Sequence, residues 1–186
     1  MEKMDKSRFV RFITLGCKVN QYETQAMRES LESQGLSDWT HSGRTQETAG
    51  MGSDAVNFVV INTCTVTENA DRENRYWIRR ARRDHPQAKI IVTGCMVEHN
   101  RREIESLPEV DLVLSNHEKS DISKYIGNGC ATPQSQEETV PARGPRAYTP
   151  LSISRTQGRS RAFMKVQDGC DHACSFCKTV LVRGRS

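Results

Sequence analysis

The hydrophobic residues of this chain form short, nearly continuous runs that alternate with longer amphipathic segments as far as about residue 127. Four runs are typical of strands buried on both faces of a sheet: FVRFITLG, NFVVINT, KIIVTG and VDLVLS. Four segments have helical spacing: NQYETQAMRESLESQG, TVTENADRENRYWIRRARRDHP, NRREIESLP and KSDISKYIG. Because strands alternate with helices, the pattern predicts an α/β fold with a doubly wound, mainly parallel sheet.

Polar residues beside these runs predict the helix ends. Asn20 is placed to cap the first helix, and Gly35 lies just beyond its end. Thr65 and Glu68 have the spacing of a capping box at the start of the second helix, and Pro86 follows its end.

Composition divides the chain into three regions. Residues 1–127 are the predicted α/β domain, which is large enough to bury its own core. Residues 128–160 are rich in Pro, Gly, Ser, Gln and Thr, and this composition predicts a linker. The segment RAFMKVQDGC, starting at Arg161, predicts a new strand, so residues 161–186 begin a second domain.

Charge and targeting signals limit the partners only weakly. The net charge of +4 is mild, and residues 140–166 hold basic but no acidic side chains, which suits either a solvated linker or an RNA-facing strip. The helix from Asn69 to Asp84 is rich in arginine, but interspersed acids favour a solvated surface over an RNA-binding one.

No signal peptide or membrane-length apolar run is visible, so we expect a cytoplasmic protein. Seven cysteines in such a protein indicate metal or redox chemistry more than disulfides.

Three cysteines, distant in sequence, each follow a predicted strand: Cys17, Cys64 and Cys95. The carboxyl ends of parallel strands share one edge, where open α/β sheets bind ligands, so these thiols are expected to share a pocket. Gly16 and Gly94 precede two of them, and a missing Cβ would let a bulky ligand approach the backbone. The simpler alternative is that each cysteine fills a small buried space.

A second set of cysteines is local, in the motif GCDHACSFC: Cys170, Cys174 and Cys177. A structural zinc site would have to recruit His172 or Cys130, and neither completes a standard spacing. A dithiol redox motif leaves Cys170 without a role. An iron–sulfur cluster held by three cysteines accounts for all three.

These motifs resemble a known family. GCDHACSFC followed by RGRS resembles the cluster loop of radical S-adenosylmethionine enzymes, in particular the methylthiotransferases. TLGCKVNQYETQ, VVINTCTVTENAD, IIVTGCMVE and VDLVLSN resemble the amino-terminal domain of the same family. The form GCKVNQYE is most similar to the branch that modifies threonylcarbamoyladenosine in tRNA. Sister branches act on isopentenyladenosine in tRNA and on an aspartate of a ribosomal protein.

The resemblance implies two four-iron four-sulfur clusters. The cluster that binds S-adenosylmethionine would be held by Cys170, Cys174 and Cys177. The auxiliary cluster, which delivers the added sulfur, would be held by Cys17, Cys64 and Cys95. Phe176 would lie near the adenine of S-adenosylmethionine, and a second S-adenosylmethionine would donate the methyl group. No side chain is assigned a catalytic role.

The same resemblance implies the anticodon loop of tRNA and an electron-donor protein as partners, with no membrane and no DNA. The chain departs from the family after Cys177, where KTVLV replaces apolar residues and a proline. The sequence supplies at most the first strand and cluster loop of a radical S-adenosylmethionine barrel. We therefore expect a truncated fragment that is inactive by itself. The alternatives are a member of a sister branch, which acts on isopentenyladenosine in tRNA or on a ribosomal protein aspartate, and a non-catalytic iron–sulfur binding module.

Overall fold

The computed structural model describes residues 8–39, 55–127, 151–156, 161–172 and 174–186. Cys130 and most of the predicted linker lie outside these ranges. In the described part of the chain, five strands form one sheet in which every pair is parallel. The strands are β1 (Arg8–Thr14), β2 (Leu36–Asp38), β3 (Val56–Thr63), β4 (Lys89–Gly94) and β5 (Leu112–Leu114).

Five α-helices lie between or after these strands in the described part of the chain. They are α1 (Lys18–Glu32), α2 (Glu68–Asp84), α3 (Cys95–Glu105), α4 (Ile122–Gly127) and α5 (Thr179–Arg183). A 3₁₀ helix, Glu118–Asp121, leads directly into α4.

Alternate residues of the central strands supply two hydrophobic layers. Val59 and Ile61 of β3 pack with Ile78 of α2 and Ile104 of α3. Their neighbours Phe58 and Val60 point to the other face, which is covered by α1, through residues such as Leu31, and by α4. Successive side chains of a strand point to opposite faces, so a strand that is apolar at every position needs helices on both sides. The predicted doubly wound α/β fold is confirmed.

The strand order places a topological switch point beside the first two cysteine loops. The order is β2-β1-β3-β4-β5, so the chain leaves β1 towards β2 on one side and then returns to β3 on the other. The crevice beyond the carboxyl ends of β1 and β3 is where such sheets bind ligands.

Two predicted helix caps are wrong. Cys17, not Asn20, precedes the first residue of α1, and Asn20 is fully buried. Its Nδ2 donates to the carbonyls of Leu15 at 2.8 Å and Thr63 at 2.9 Å, which ties the helix to the ends of β1 and β3. Tertiary hydrogen bonds have overridden the local capping preference.

At the second helix, Thr67 rather than Thr65 is the N-cap, and its Oγ1 accepts from the Ala70 amide at 3.1 Å. Thr65 lies buried instead, and its hydroxyl donates to Asp71 Oδ1 at 2.7 Å. The predicted capping box is therefore not formed.

Three other elements differ from expectation. The short strand β2 was not predicted, since three residues carry too little pattern. The helix α3 begins at Cys95, five residues before the predicted start, and its backbone leaves helical geometry at Asn100. Residues 161–172 contain no strand, although one was predicted from Arg161. An isolated strand has no hydrogen-bond partner to hold it.

Among the described residues, no helix combines the length and apolar character that crossing a membrane requires.

Candidate functional site

The three strand-end cysteines lie on neighbouring strands at one edge of the sheet. Cys17 lies between β1 and α1, Cys64 directly follows β3, and Cys95 is the first residue of α3 after β4. β1, β3 and β4 are adjacent in the sheet. The structure therefore places these thiols at a shared edge of the sheet, as predicted. Their role as ligands stays a prediction.

Contacts show how closely the three loops approach one another. A Cβ added to Gly16 would lie 2.6 Å from Cys64 Sγ, so the residue before Cys17 packs directly on that thiol. Cys17 Sγ lies 3.9 Å from Asn20 Oδ1, at the start of α1. Cys64 and Cys95 are almost fully buried, whereas Cys17 is exposed. In the described ranges, no three His, Cys, Asp or Glu side chains are close enough together to hold a single metal ion.

The two glycines before these cysteines serve the fold rather than a ligand. A Cβ at Gly94 would lie 2.4 Å from the carbonyl oxygen of Thr63. Gly16 and Gly94 also have φ values of +86° and +103°, a region that disfavours side chains. Cys64, the residue after β3, fills the space beside Gly16, and the end of β3 fills the space beside Gly94. The expectation that a ligand enters the space left by the missing Cβ is therefore wrong.

Polar groups fix the backbone at the buried cysteines. Asn74 of α2 accepts the Cys64 amide at 3.3 Å and donates to the Cys64 carbonyl. Thr63 Oγ1 accepts the Met96 amide at 3.3 Å, just after Cys95. The loops that carry Cys64 and Cys95 are therefore positioned by side chains of the sheet domain itself.

The thiol of Cys95 lies in a mixed electrostatic environment. Burial raises its pKa, and the nearby Cys64 and Glu23 act in the same direction. The positive charges of Arg183 and Lys119 oppose that rise. The free thiol of Cys95 is therefore protonated more readily than an ordinary cysteine, although two cations lie close enough to favour an anion beside it.

A buried charge cluster adjoins these thiols, and we name it the Glu23 cluster. Its members are Glu23, Lys119, Lys165, Asp168 and Arg183. Sequence reasoning missed it, although one signal was present. Glu23 precedes Ala26 and Met27 by three and four residues, so a carboxylate lies on the core-facing side of α1.

The local cysteine set lies on residues 170–177. The Cys170 amide donates to the Gly184 carbonyl at 3.1 Å, and the Cys177 amide donates to the Cys174 carbonyl at 3.1 Å. A Cβ at Gly169 would lie 2.5 Å from the carbonyl oxygen of Gly184, which closes the loop tightly.

The side chains of this loop are more accessible than those of the sheet edge. Cys174 is exposed, Cys170 and Cys177 are half-buried, and Phe176 is 88% exposed. Cys177 Sγ and Thr179 Oγ1 form a 3.2 Å hydrogen bond, and this contact with the Thr179 hydroxyl and amide lowers the pKa of the Cys177 thiol.

The arginines of α2 are largely engaged by acidic side chains of the same domain. Arg82 pairs with Asp111 and also donates to the Ala88 and Glu109 carbonyls. The other ion pairs are Arg75–Glu103, Arg79–Glu109, Arg80–Asp84 and Arg83–Asp84. These contacts agree with a helix of paired surface arginines and do not favour an RNA-tracking strip.

Comparison with known proteins identifies the family. Residues 9–115 match the Uncharacterized protein family UPF0004. Two relatives are each called threonylcarbamoyladenosine tRNA methylthiotransferase MtaB. The chain is 34% identical over 177 residues to that of Rickettsia prowazekii (strain Madrid E), and 36% identical over 181 residues to that of Bacillus subtilis (strain 168). The chain therefore belongs to the methylthiotransferase family.

The similarity extends to another branch of the methylthiotransferases. The tRNA-2-methylthio-N(6)-dimethylallyladenosine synthase of Novosphingobium aromaticivorans is 32% identical over 176 residues, which cover 94% of this chain and 37% of the relative. The two MtaB relatives are likewise matched over 94% of this chain and 36% of their own length. The chain thus spans little more than a third of the curated relatives it matches.

Proposed function

We propose that this chain supplies the auxiliary-cluster domain and the cluster loop of a tRNA methylthiotransferase that acts on threonylcarbamoyladenosine next to the anticodon. The observation that carries the proposal is the placement of Cys17, Cys64 and Cys95 on three adjacent strand ends, in a chain of the methylthiotransferase family. The enzyme would be cytoplasmic, with tRNA and an electron-donor protein as its partners.

The donor set fits iron–sulfur clusters. Three thiols at the sheet edge and three on the loop are soft ligands of the kind that hold iron–sulfur clusters, and three ligands leave one iron of a four-iron cluster open. When bound, the cluster on the loop would supply an electron for the cleavage of S-adenosylmethionine.

The residues of the chain have separate tasks in this proposal. Cys170, Cys174 and Cys177 hold the loop cluster, and the exposed ring of Phe176 is available to stack on the adenine of S-adenosylmethionine. Cys17, Cys64 and Cys95 hold the auxiliary cluster. Arg183 and Lys119 provide positive charge beside Cys95, which favours an anionic group at the sheet edge.

Iron analysis of the anaerobically reconstituted chain tests the metal sites. About eight irons per chain are expected for two four-iron clusters, with electron paramagnetic resonance signals from both. Cys95→Ala and Cys177→Ala should each lower the iron content by about half. Cys130→Ala is the matched control, since no role is assigned to that thiol. Zinc without iron, or about four irons that Cys95→Ala does not reduce, would contradict the proposal.

The substrate is tested in cells that lack the gene encoding this chain. Mass spectrometry of tRNA nucleosides should show loss of the methylthio group from threonylcarbamoyladenosine and its retention on isopentenyladenosine. Loss from isopentenyladenosine, or from a ribosomal protein aspartate, would assign the chain to a sister branch. No loss anywhere would favour a non-catalytic iron–sulfur module.

A further inference from the structure

The Glu23 cluster joins two parts of the chain that lie far apart in sequence. Glu23 is on α1, and its carboxylate contacts Lys119 Nζ at 2.8 Å, Lys165 Nζ at 3.3 Å and Arg183 Nη1 at 2.7 Å. Lys119 belongs to the sheet domain. Lys165 and Arg183 flank the loop that carries the local cysteines, so one carboxylate binds both regions.

The cluster is buried and its charges are unevenly divided. The side chains of Glu23, Lys119 and Lys165 are 3%, 1% and 3% exposed. Asp168 also pairs with Lys165 at 2.6 Å and with Arg183 at 2.9 Å, so three cations share two carboxylates. Buried ions are costly unless they are paired, which makes Glu23 the group on which the other charges depend.

Ionisation of the cluster is mutually reinforced. Burial alone would raise the pKa of Glu23, but the charges of Lys119 and Arg183 and the hydrogen bonds that they donate outweigh burial and hold that pKa far below its usual range. Arg183 likewise has a raised pKa, because the hydrogen bond to Glu23 and its charge outweigh burial. The carboxylate and the guanidinium are therefore charged at neutral pH.

Arg183 also reaches the sheet edge that carries the strand-end cysteines. Its Nη2 donates to Asn20 Oδ1 at 2.7 Å, and the same oxygen is the neighbour of Cys17 Sγ. Its positive charge acts on the thiol of Cys95. The Asn116 side chain donates to the carbonyl of the adjacent Val182 at 2.9 Å, which anchors α5 to the end of β5.

Other contacts follow the same helix. The Tyr22 hydroxyl donates to the Leu151 carbonyl at 3.0 Å, and Glu29 accepts the Ser154 amide at 2.7 Å. Glu32 forms an ion pair with Arg155. Residues 151–156 therefore lie along α1, but through more exposed contacts than those of the Glu23 cluster.

We propose that Glu23 is a positioning residue that docks residues 161–186 onto the sheet domain and so fixes the local cysteine loop relative to the strand-end cysteines. The docking itself is independent of any bound cluster. Its consequence for the reaction, a constant separation between two clusters, rests on the proposed function.

Hydrogen exchange of the reduced, metal-free 186-residue chain tests the docking. Glu23→Gln leaves three buried cations with one carboxylate, so protection of peptides from residues 161–186 should fall at least about tenfold, while β3 and β4 keep theirs. Trypsin should then cleave after Lys165, whose side chain is buried in the parent chain. Glu32→Gln on the same helix is the matched control, and should affect only residues 151–156.

Arg183 variants separate positioning from general stability. Arg183→Met should reproduce the loss, Arg183→Lys should restore part of the protection, and the Glu23→Gln/Arg183→Met double variant should lose less than the sum of the single variants. Unchanged protection of residues 161–186 in both single variants would overturn the proposal. Equal loss in Arg183→Met and Arg183→Lys, or loss in β3 as large as in residues 161–186, would also overturn it. None of these outcomes depends on iron content, which tests the proposed function separately.

Discussion

Cys64 and Cys95 lie buried at the ends of central parallel strands, whereas the three local cysteines lie on an irregular loop with an exposed Phe176 beside them. The sheet edge gains its geometry from strand pairing and from Gly16, Gly94 and other residues that only this fold brings together. The loop gains its spacing from the sequence, and the ion pairs of the Glu23 cluster, the Asn116–Val182 hydrogen bond and the buried Val182 side chain hold its flanks on the sheet domain. Two sites of similar donor chemistry can thus differ greatly in what holds them.

The largest expected effect is at the sheet edge. Gly94→Ala places a Cβ against the Thr63 backbone at a φ of +103°, so it should lower the free energy of unfolding by about 3 kcal/mol or more. Denaturant unfolding measures this. Gly35→Ala is the control, because its φ is +82° but nothing lies within 4 Å of the added Cβ, and it should cost only about 1 kcal/mol. Equal losses of unfolding free energy in the two variants would show that the close packing at Gly94 does not determine the need for glycine there.

Thiol reactivity should separate the two regions next. In the reduced, metal-free chain, Cys177 should be alkylated about a hundredfold faster than Cys95 at neutral pH, because only the thiolate reacts. The pKa of the Cys177 thiol is lowered, whereas Cys95 is buried and its thiol has a raised pKa. Mass spectrometry of each cysteine over a pH series measures both rates. The rate at Cys177 should rise at lower pH than the rate at Cys95, since a lowered pKa yields thiolate earlier.

The control for that series removes the hydrogen-bonding hydroxyl. Thr179→Val should move the Cys177 profile to higher pH and leave the Cys95 profile unchanged. Similar rates at Cys177 and Cys95 in the parent chain would contradict the contrast drawn between loop and sheet edge.

The smallest expected effect is at the tip of the loop. Phe176→Ala should change the free energy of unfolding by less than about 0.5 kcal/mol, because the ring is already exposed. Phe58→Ala, in the core of β3, should cost about 3 kcal/mol or more in the same thermal or denaturant measurement. A large loss from Phe176→Ala would mean that this ring supports the loop and is not free for a ligand.

Much of the fold is determined by local pattern. Continuous apolar runs predict the central strands β1, β3 and β4, because such strands must be buried on both faces of the sheet. Helical spacing of apolar residues predicts α1 and α2. The caps were wrong at Asn20 and Thr65 for different reasons. Asn20 bonds to the Thr63 carbonyl, 43 residues away, whereas Thr65 lies buried and its hydroxyl bonds to the Asp71 side chain in the first turn of α2. Local signals cannot anticipate the tertiary contact of Asn20.

The sequence by itself determined the alternation of the central strands with helices, the spacing of Cys170, Cys174 and Cys177, and the position of the other three cysteines at strand ends. Only the tertiary structure decided that Gly16 makes room for Cys64 and Gly94 for the end of β3, and that Glu23 binds Lys119 and Arg183 across 96 and 160 residues. The physical reason is the separation in sequence between the residues that interact. Burial periodicity is written into neighbouring residues, whereas an ion pair between remote residues exists only once the sheet has brought them together.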